Sequence, residues 1–305
     1  MRIHWEIYIF IDFLFLLIGV LIGIAFFTLF ERKILGYIHF RKGPTKVFYF
    51  GLLQPIADAL KLFSKEVFKG YRVAYYFFLI GPFVGLFLMF ILWGVYGGLW
   101  GVFGRVYSVV YFFCFLRLGV YFLLFSGWGG RRKYSLVGGY RSVSQNVSYE
   151  VRMIFFVLVF VYFVGSYDVF YLCFFQFGFW FVFFRVPFFV SWLYVCLAES
   201  NRTPFDFSEG ESELVSGFNI EYRSGVFSII FICEYGMMIF VGFVRVLVFM
   251  GGEGYLLKLI VFCLFYVWVR CTYPRYRYMD LMEVAWGLIL PLSLSVIFLF
   301  SVFYF

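Results

Sequence analysis

Apolar runs of about twenty residues recur along the whole chain, separated by short polar intervals and centred near residues 18, 85, 117, 157, 188, 236, 263 and 294. About 20 helical residues cross a hydrocarbon core of about 30 Å. Lipid offers no partner to a free backbone group, so spanning segments of this kind are helical, and their Phe, Val and Tyr are a lipid-compatible surface rather than a strand signal. Composition excludes a soluble fold: 14% of residues are charged and 64% hydrophobic, whereas a globular domain carries about 25% charge. The chain therefore reads as an all-α membrane protein, a single polytopic domain over residues 1–305 with about eight transmembrane helices plus an amphipathic interfacial helix. The first apolar stretch, from about Ile7 to Phe30, is too long for a signal-peptide core and ends in Glu31, Arg32 and Lys33, so it is a retained span. The aromatic stretch from Tyr167 to Phe189 is either a loop plus one span or a single tilted span, the first preferred, with Ser166, Tyr167 and Asp168 in the turn. No motif at fixed spacing relates the spans, which counts against a transporter built from inverted repeats.

The chain has 25 Lys+Arg against 17 Asp+Glu. In a soluble protein that excess suggests nucleic acid; in this one its placement matters more. With eight spans the loops alternate sides, and segments 31–72, 126–141, 198–223 and 270–282 hold nine, four, two and three cations. The other side holds Arg2, Arg105 and Lys258, while Arg117, Arg152, Arg185 and Arg245 lie in or beside spans. By the positive-inside bias the four cationic loops face the cytoplasm, or the matrix in a mitochondrial membrane. The six cysteines form no CxxC pair and read as small buried hydrophobes. His4 and His39 stand alone, without a cysteine or carboxylate at ligand spacing, so any redox centre is expected in another chain.

Five polar constellations interrupt this pattern. In segment 31–66 the residues Leu52, Leu53, Ile56, Leu60, Leu62 and Phe63 read as one apolar side of an interfacial helix, with Asp58, Lys61 and Lys65 opposite and Pro55 in its first turn. A merely solvated charged face explains the same pattern. The run SQNVSYEV puts Glu150 and Arg152 at the mouth of the fourth span. An ionisable group at that depth costs about 2.5 to 3.5 kcal/mol or more and normally faces a cavity or a partner, unless it snorkels to the headgroups. Residues 197–222 hold Glu199, Asp206, Glu209, Glu211, Glu213 and Glu221 against a single Arg202. Such crowding in a partly dry site makes a proton store; an acidic loop that binds a basic partner subunit is the other reading. Glu234 is flanked on both sides by apolar helix. With Glu150 and Glu199 it gives buried carboxylates on three spans, as a water-filled acidic path requires. Finally, Arg270, Arg275 and Arg277 alternate with Tyr273, Tyr276 and Tyr278, an interfacial anchor, a site for lipid headgroups or the rim of a tunnel for an amphipathic ligand.

ERKILGY, RKGP, GLLQPIADALKLFSKE, SYEV, LAESNRTPFDFSEGESELVSGFNIEY and YPRYRY, in this order over about residues 31–290, closely resemble the subunit 1 family of the mitochondrial NADH:ubiquinone oxidoreductase, respiratory complex I. The resemblance implies a redox-inactive subunit where the peripheral and membrane arms meet, in the mitochondrial inner membrane with its cationic loops in the matrix. It implies that the chain forms the entrance and part of the tunnel for ubiquinone, among the other complex I subunits and membrane lipids and without nucleic acid, and that FMN and the iron–sulfur clusters belong to partner chains. On this likeness Arg32, Asp58, Glu66, Arg275 and Arg277 belong to the quinone tunnel. Glu150, Glu199, Glu209, Glu211, Glu213 and Glu234 belong to the acidic path that couples quinone chemistry to proton movement. A membrane anchor for the peripheral arm, or a related membrane-bound hydrogenase subunit without a quinone site, are the alternatives. The chain departs from the family at His39, Thr45, Met279 and Gly287, and its Arg131–Arg132–Lys133 cluster and mid-span Arg117 are unusual. No partner for Arg117 is legible in the sequence.

Overall fold

A computed structural model describes residues 2–66, 74–96, 107–178, 180–184, 186–206 and 217–303. Its helices are α1 (Arg2–Ile38), α2 (Gln54–Phe63), α3 (Tyr75–Tyr96), α4 (Ser108–Gly129), α5 (Lys133–Val164), α6 (Val169–Phe175), α7 (Phe181–Phe184), α8 (Val186–Glu199), α9 (Ser224–Met250), α10 (Tyr255–Thr272), α11 (Tyr278–Glu283) and α12 (Leu290–Phe303). A π-helical turn at Val284–Ile289 joins the last two. The all-α membrane class is as expected. Among the described residues seven helices are long and apolar enough to cross a membrane.

The eighth expected span differs. Its apolar run is broken into α6, α7 and α8, and the longest piece, α8, has 14 residues, about 21 Å of helix. Gln176 closes α6, and Gly178 has a φ of 103°, a conformation only glycine takes without strain. Pro187 then sits in the first turn of α8, where its missing N–H costs nothing. The turn at Ser166–Asp168 forms as expected, with the Asp168 carboxylate accepting from the Phe170 N–H at 2.9 Å to cap α6.

The cationic segment after the first span also starts later than its sequence suggests. α1 continues through Glu31, Arg32 and Lys33 to Ile38, so these three side chains project from a helix. α2 forms with Pro55 in its first turn. Leu53, Ile56, Leu60 and Phe63 are exposed on one side of it, while Leu62, placed on that side by the sequence reading, is half-buried.

α9 is the central post, packed against α1, α2, α3, α6, α7, α8 and α10. α3, α4 and α5 form two consecutive hairpins beside it. α4 and α5 approach closely because two glycines face each other: a Cβ built on Gly127 would stand 2.9 Å from the Gly139 Cα. α8 ends against the middle of α5, where Gln145 Nε2 donates to the Ala198 carbonyl at 2.7 Å and the Phe205 carbonyl at 3.0 Å, and the polar chemistry gathers at that depth. Of the cysteines, Cys196 and Cys233 are buried as expected, whereas Cys173, Cys263 and Cys271 are half-buried and Cys114 is exposed on α4.

Candidate functional site

Helical periodicity puts the polar groups on inward faces. On α5, Asn146 and Glu150 are one turn apart. On α9, Cys233 and Glu234 are followed by Met237, Met238 and Val241, the i+3, i+4 and i+7 positions of one stripe. Glu199, Ser200 and Asn201 come where α8 stops and the chain turns back. These faces meet Leu116, Gly119, Phe122 and Leu123 of α4 around a cavity of about 80 Å³, room for several water molecules. Glu150, Glu199 and Glu234, from three different helices, all line it.

The polar lining is incompletely satisfied by protein. Asn146 Oδ1, Glu150 Oε2, Glu199 Oε2 and Asn201 Oδ1 are buried and have no hydrogen-bond partner within the protein. Buried oxygens of this kind are ordinarily held by ordered water. Cations offset the acids. The Arg202 Nη2 donates to Glu234 Oε2 at 3.2 Å, and Arg117 Nε approaches Glu150 Oε2 at 3.9 Å. Arg117, without a legible partner in the sequence, thus faces the acid of the neighbouring helix.

A second polar cluster adjoins the first and was not singled out by sequence reasoning. Glu31 is buried, accepts from the Tyr235 hydroxyl at 2.6 Å and is paired with Arg270 of α10. Arg202 lies 4.4 Å over the ring of Tyr235, so it joins the two clusters. Arg270–Glu31–Tyr235–Arg202–Glu234 is therefore a continuous chain of contacts from α1 and α10 to the cavity. One signal pointed to it: α9 places Tyr235 directly after Glu234, and Tyr carries the donor that a buried carboxylate requires.

The expected tunnel residues divide. Arg32 of α1 pairs with Asp58 of α2 at 2.6 Å, and Gln54 Nε2 donates to the other Asp58 oxygen at 2.9 Å. Glu66 is exposed and has no ion pair among the described residues. Arg275 pairs with Asp206 at 3.4 Å, and the Tyr276 N–H donates to the Pro204 carbonyl at 3.2 Å, so the 273–278 segment is tied to residues after α8. Arg277 is exposed at the N-cap of α11. Glu209, Glu211 and Glu213 lie outside the described residues. Glu221 is buried against Arg132 at 2.6 Å, which gives one member of the cationic cluster a structural task. Beside it the Tyr222 hydroxyl donates to the Ser126 carbonyl at 3.1 Å, and burial pushes that phenol above its ordinary range.

The family described as NADH dehydrogenase matches residues 11–301. The chain is 46% identical to NADH-ubiquinone oxidoreductase chain 1 of Anopheles gambiae, with 94% of this chain and 93% of the relative covered. The protein of the same name from Locusta migratoria is 44% identical, covering 97% and 96%. That of Patiria pectinifera is 40% identical, covering 98% and 95%. Likeness of this extent across insects and an echinoderm, on a chain whose all-helical membrane architecture and quoted motifs agree with it, shows that the chain belongs to the NADH dehydrogenase family of NADH-ubiquinone oxidoreductase chain 1 proteins.

Proposed function

We propose that this subunit forms the quinone entrance and part of the quinone tunnel of a proton-translocating NADH:ubiquinone oxidoreductase, and that Glu150, Glu199 and Glu234 carry part of the acidic path that couples quinone reduction to proton movement. The observation that carries the reading is the convergence of these three carboxylates on one cavity whose lining oxygens call for water. An acid at this depth is tolerated when it faces a wet cavity, and neighbouring acids there exchange protons when nearby charge changes.

The tunnel half of the reading is supported by α2. Its exposed Leu53, Ile56, Leu60 and Phe63 offer an apolar wall for an isoprenoid tail, and the Arg32–Asp58 pair beside it offers polar contact for a headgroup. Arg275, Arg277 and Glu66 extend that polar rim, and Glu209, Glu211 and Glu213 continue the acidic loop. Ubiquinone is the substrate; FMN and the iron–sulfur clusters belong to partner subunits of the peripheral arm. The cationic loops then face the matrix across the mitochondrial inner membrane.

Glu150→Gln and Glu234→Gln in the assembled enzyme test the reading. Proton movement per NADH oxidised should fall much more than the amount of complex assembled. Fully assembled variants with unchanged proton movement would count decisively against it. If the chain were only an anchor, single neutralisations would change assembly and nothing else.

A further inference from the structure

Arg117 is the tenth residue of α4, on the side that also exposes Cys114, Leu118 and Tyr121. Nine residues separate it from Ser108 and twelve from Gly129, about 14 Å and 18 Å of helix. Neither end is near enough for the side chain to reach the headgroups with ease, so its charge needs compensation inside the bilayer. Compensation comes from Glu150, whose side chain is 4% exposed while that of Arg117 is 62% exposed. Leu116, next to Arg117, and Gly119, two residues beyond it, both line the cavity. The guanidinium therefore reaches in over the lateral rim, between α4 and α5, with Nε 3.9 Å from Glu150 Oε2. That distance is ionic contact without a hydrogen bond, and Glu150 Oε2 has no other partner within the protein. Arg117 is the charged group in contact with this carboxylate.

We infer that Arg117 is a positioning residue for Glu150: it holds the carboxylate toward the side wall of the cavity and thereby sets its separation from Glu199 and Glu234. The inference rests on the acidic-path reading above and adds a residue to it. Two features follow from the geometry. Arg117 acts through Glu150, so its effect requires that carboxylate. The contact is a charge at a distance rather than a directed hydrogen bond, so a lysine at the same place retains most of it.

The test uses the assembled oxidoreductase containing this chain, reconstituted in liposomes, with Arg117→Gln, Arg117→Lys, Glu150→Gln and the Arg117→Gln/Glu150→Gln double variant. Turnover per assembled complex, quinone KM and protons moved per NADH are measured. Arg117→Gln is expected to lower turnover about tenfold, the scale on which one network residue alters coupling between sites. The quinone KM should stay within about twofold, because ground-state binding is untouched. Arg117→Lys should restore most of the loss, and the double variant should be no worse than Glu150→Gln alone. Full turnover in Arg117→Gln beside an impaired Glu150→Gln overturns the positioning role and leaves the acidic path intact. A further loss in the Glu150→Gln background also overturns it, since Arg117 would then act elsewhere. Unimpaired Glu150→Gln removes both readings. If Arg117→Gln fails to assemble, Arg117→Lys decides: a tenfold slower lysine enzyme at normal abundance overturns the charge-based role.

Discussion

Removing Arg202 should loosen the bundle far more than its ion pair with Glu234 alone suggests. Its Nη2 is 3.2 Å from Glu234 Oε2, and both side chains are mostly enclosed, 13% and 17% exposed. At an effective dielectric constant of about 20 the gross attraction at that distance is about 5 kcal/mol. Desolvation offsets much of this, but deleting one member of a buried pair leaves the other uncompensated, at about 3 to 5 kcal/mol. The guanidinium also lies over the rings of Tyr235 at 4.4 Å and Phe231 at 5.7 Å, each contact adding about 0.5 to 1 kcal/mol. Taking 3 kcal/mol as the loss, Arg202→Ala should speed thermal inactivation of nanodisc-embedded complex by about 150-fold. The assay is a double-mutant cycle: inactivation rates of Arg202→Ala, Glu234→Gln and the double variant, followed as loss of NADH-dependent quinone reduction where activity permits and otherwise as dissociation of the complex. The double variant should be more durable than the two singles predict, by a coupling of about 2 kcal/mol, roughly thirtyfold in rate. Coupling below about 0.5 kcal/mol would mean that the two charges do not support one another and would refute the reasoning.

Two further substitutions probe separate links. Gly127→Ala drives a methyl group to within 2.9 Å of the Gly139 Cα; since backbone cannot swing aside, the α4–α5 hairpin should lose about 1 to 3 kcal/mol, read as a lower denaturation midpoint of the complex, and an unchanged midpoint would mean that the helices part without strain. Tyr235→Phe removes the 2.6 Å donor to buried Glu31; a loss of about 1.5 to 3 kcal/mol is expected, and Glu31→Gln should weaken that dependence, whereas equal effects of Tyr235→Phe in both backgrounds would contradict the contact.

The legible part of this protein was what local pattern dictates. Apolar length alone gave the long spans, and Pro55 with the apolar set Leu52, Leu53, Ile56, Leu60, Leu62 and Phe63 gave α2, Leu62 excepted. Where the count of apolar residues ran on through Gly178 and Pro187, length overstated continuity, because side-chain polarity does not reveal a backbone that must bend. Glu150, Glu199 and Glu234 were identifiable one at a time, as acids in apolar surroundings; their shared cavity is a tertiary fact. Glu31 was hidden for a different reason. Its neighbours Arg32 and Lys33 made it look like the start of a loop, and its partners Tyr235 and Arg270 are 204 and 239 residues away. Pairings at that separation leave no periodic trace. Arg117 shows the same limit, since nothing in the spacing of α4 announces an acid on α5.

Beyond the carboxylates, toward the end where α5 stops and α8 begins, lies a knot of aromatic rings. Phe156 and Trp192 meet at 5.6 Å, Trp192 and Phe249 at 5.4 Å, and Phe160 closes on Phe249 at 4.8 Å. Phe156, Trp192 and Phe249 are almost wholly enclosed, and interiors packed with such rings admit no water column. At this level the bundle is closed by packed rings. On the proposed acidic path, a proton reaching the cavity from the loop-rich end would have to leave sideways between helices, because the packed rings close the direct line across the bilayer.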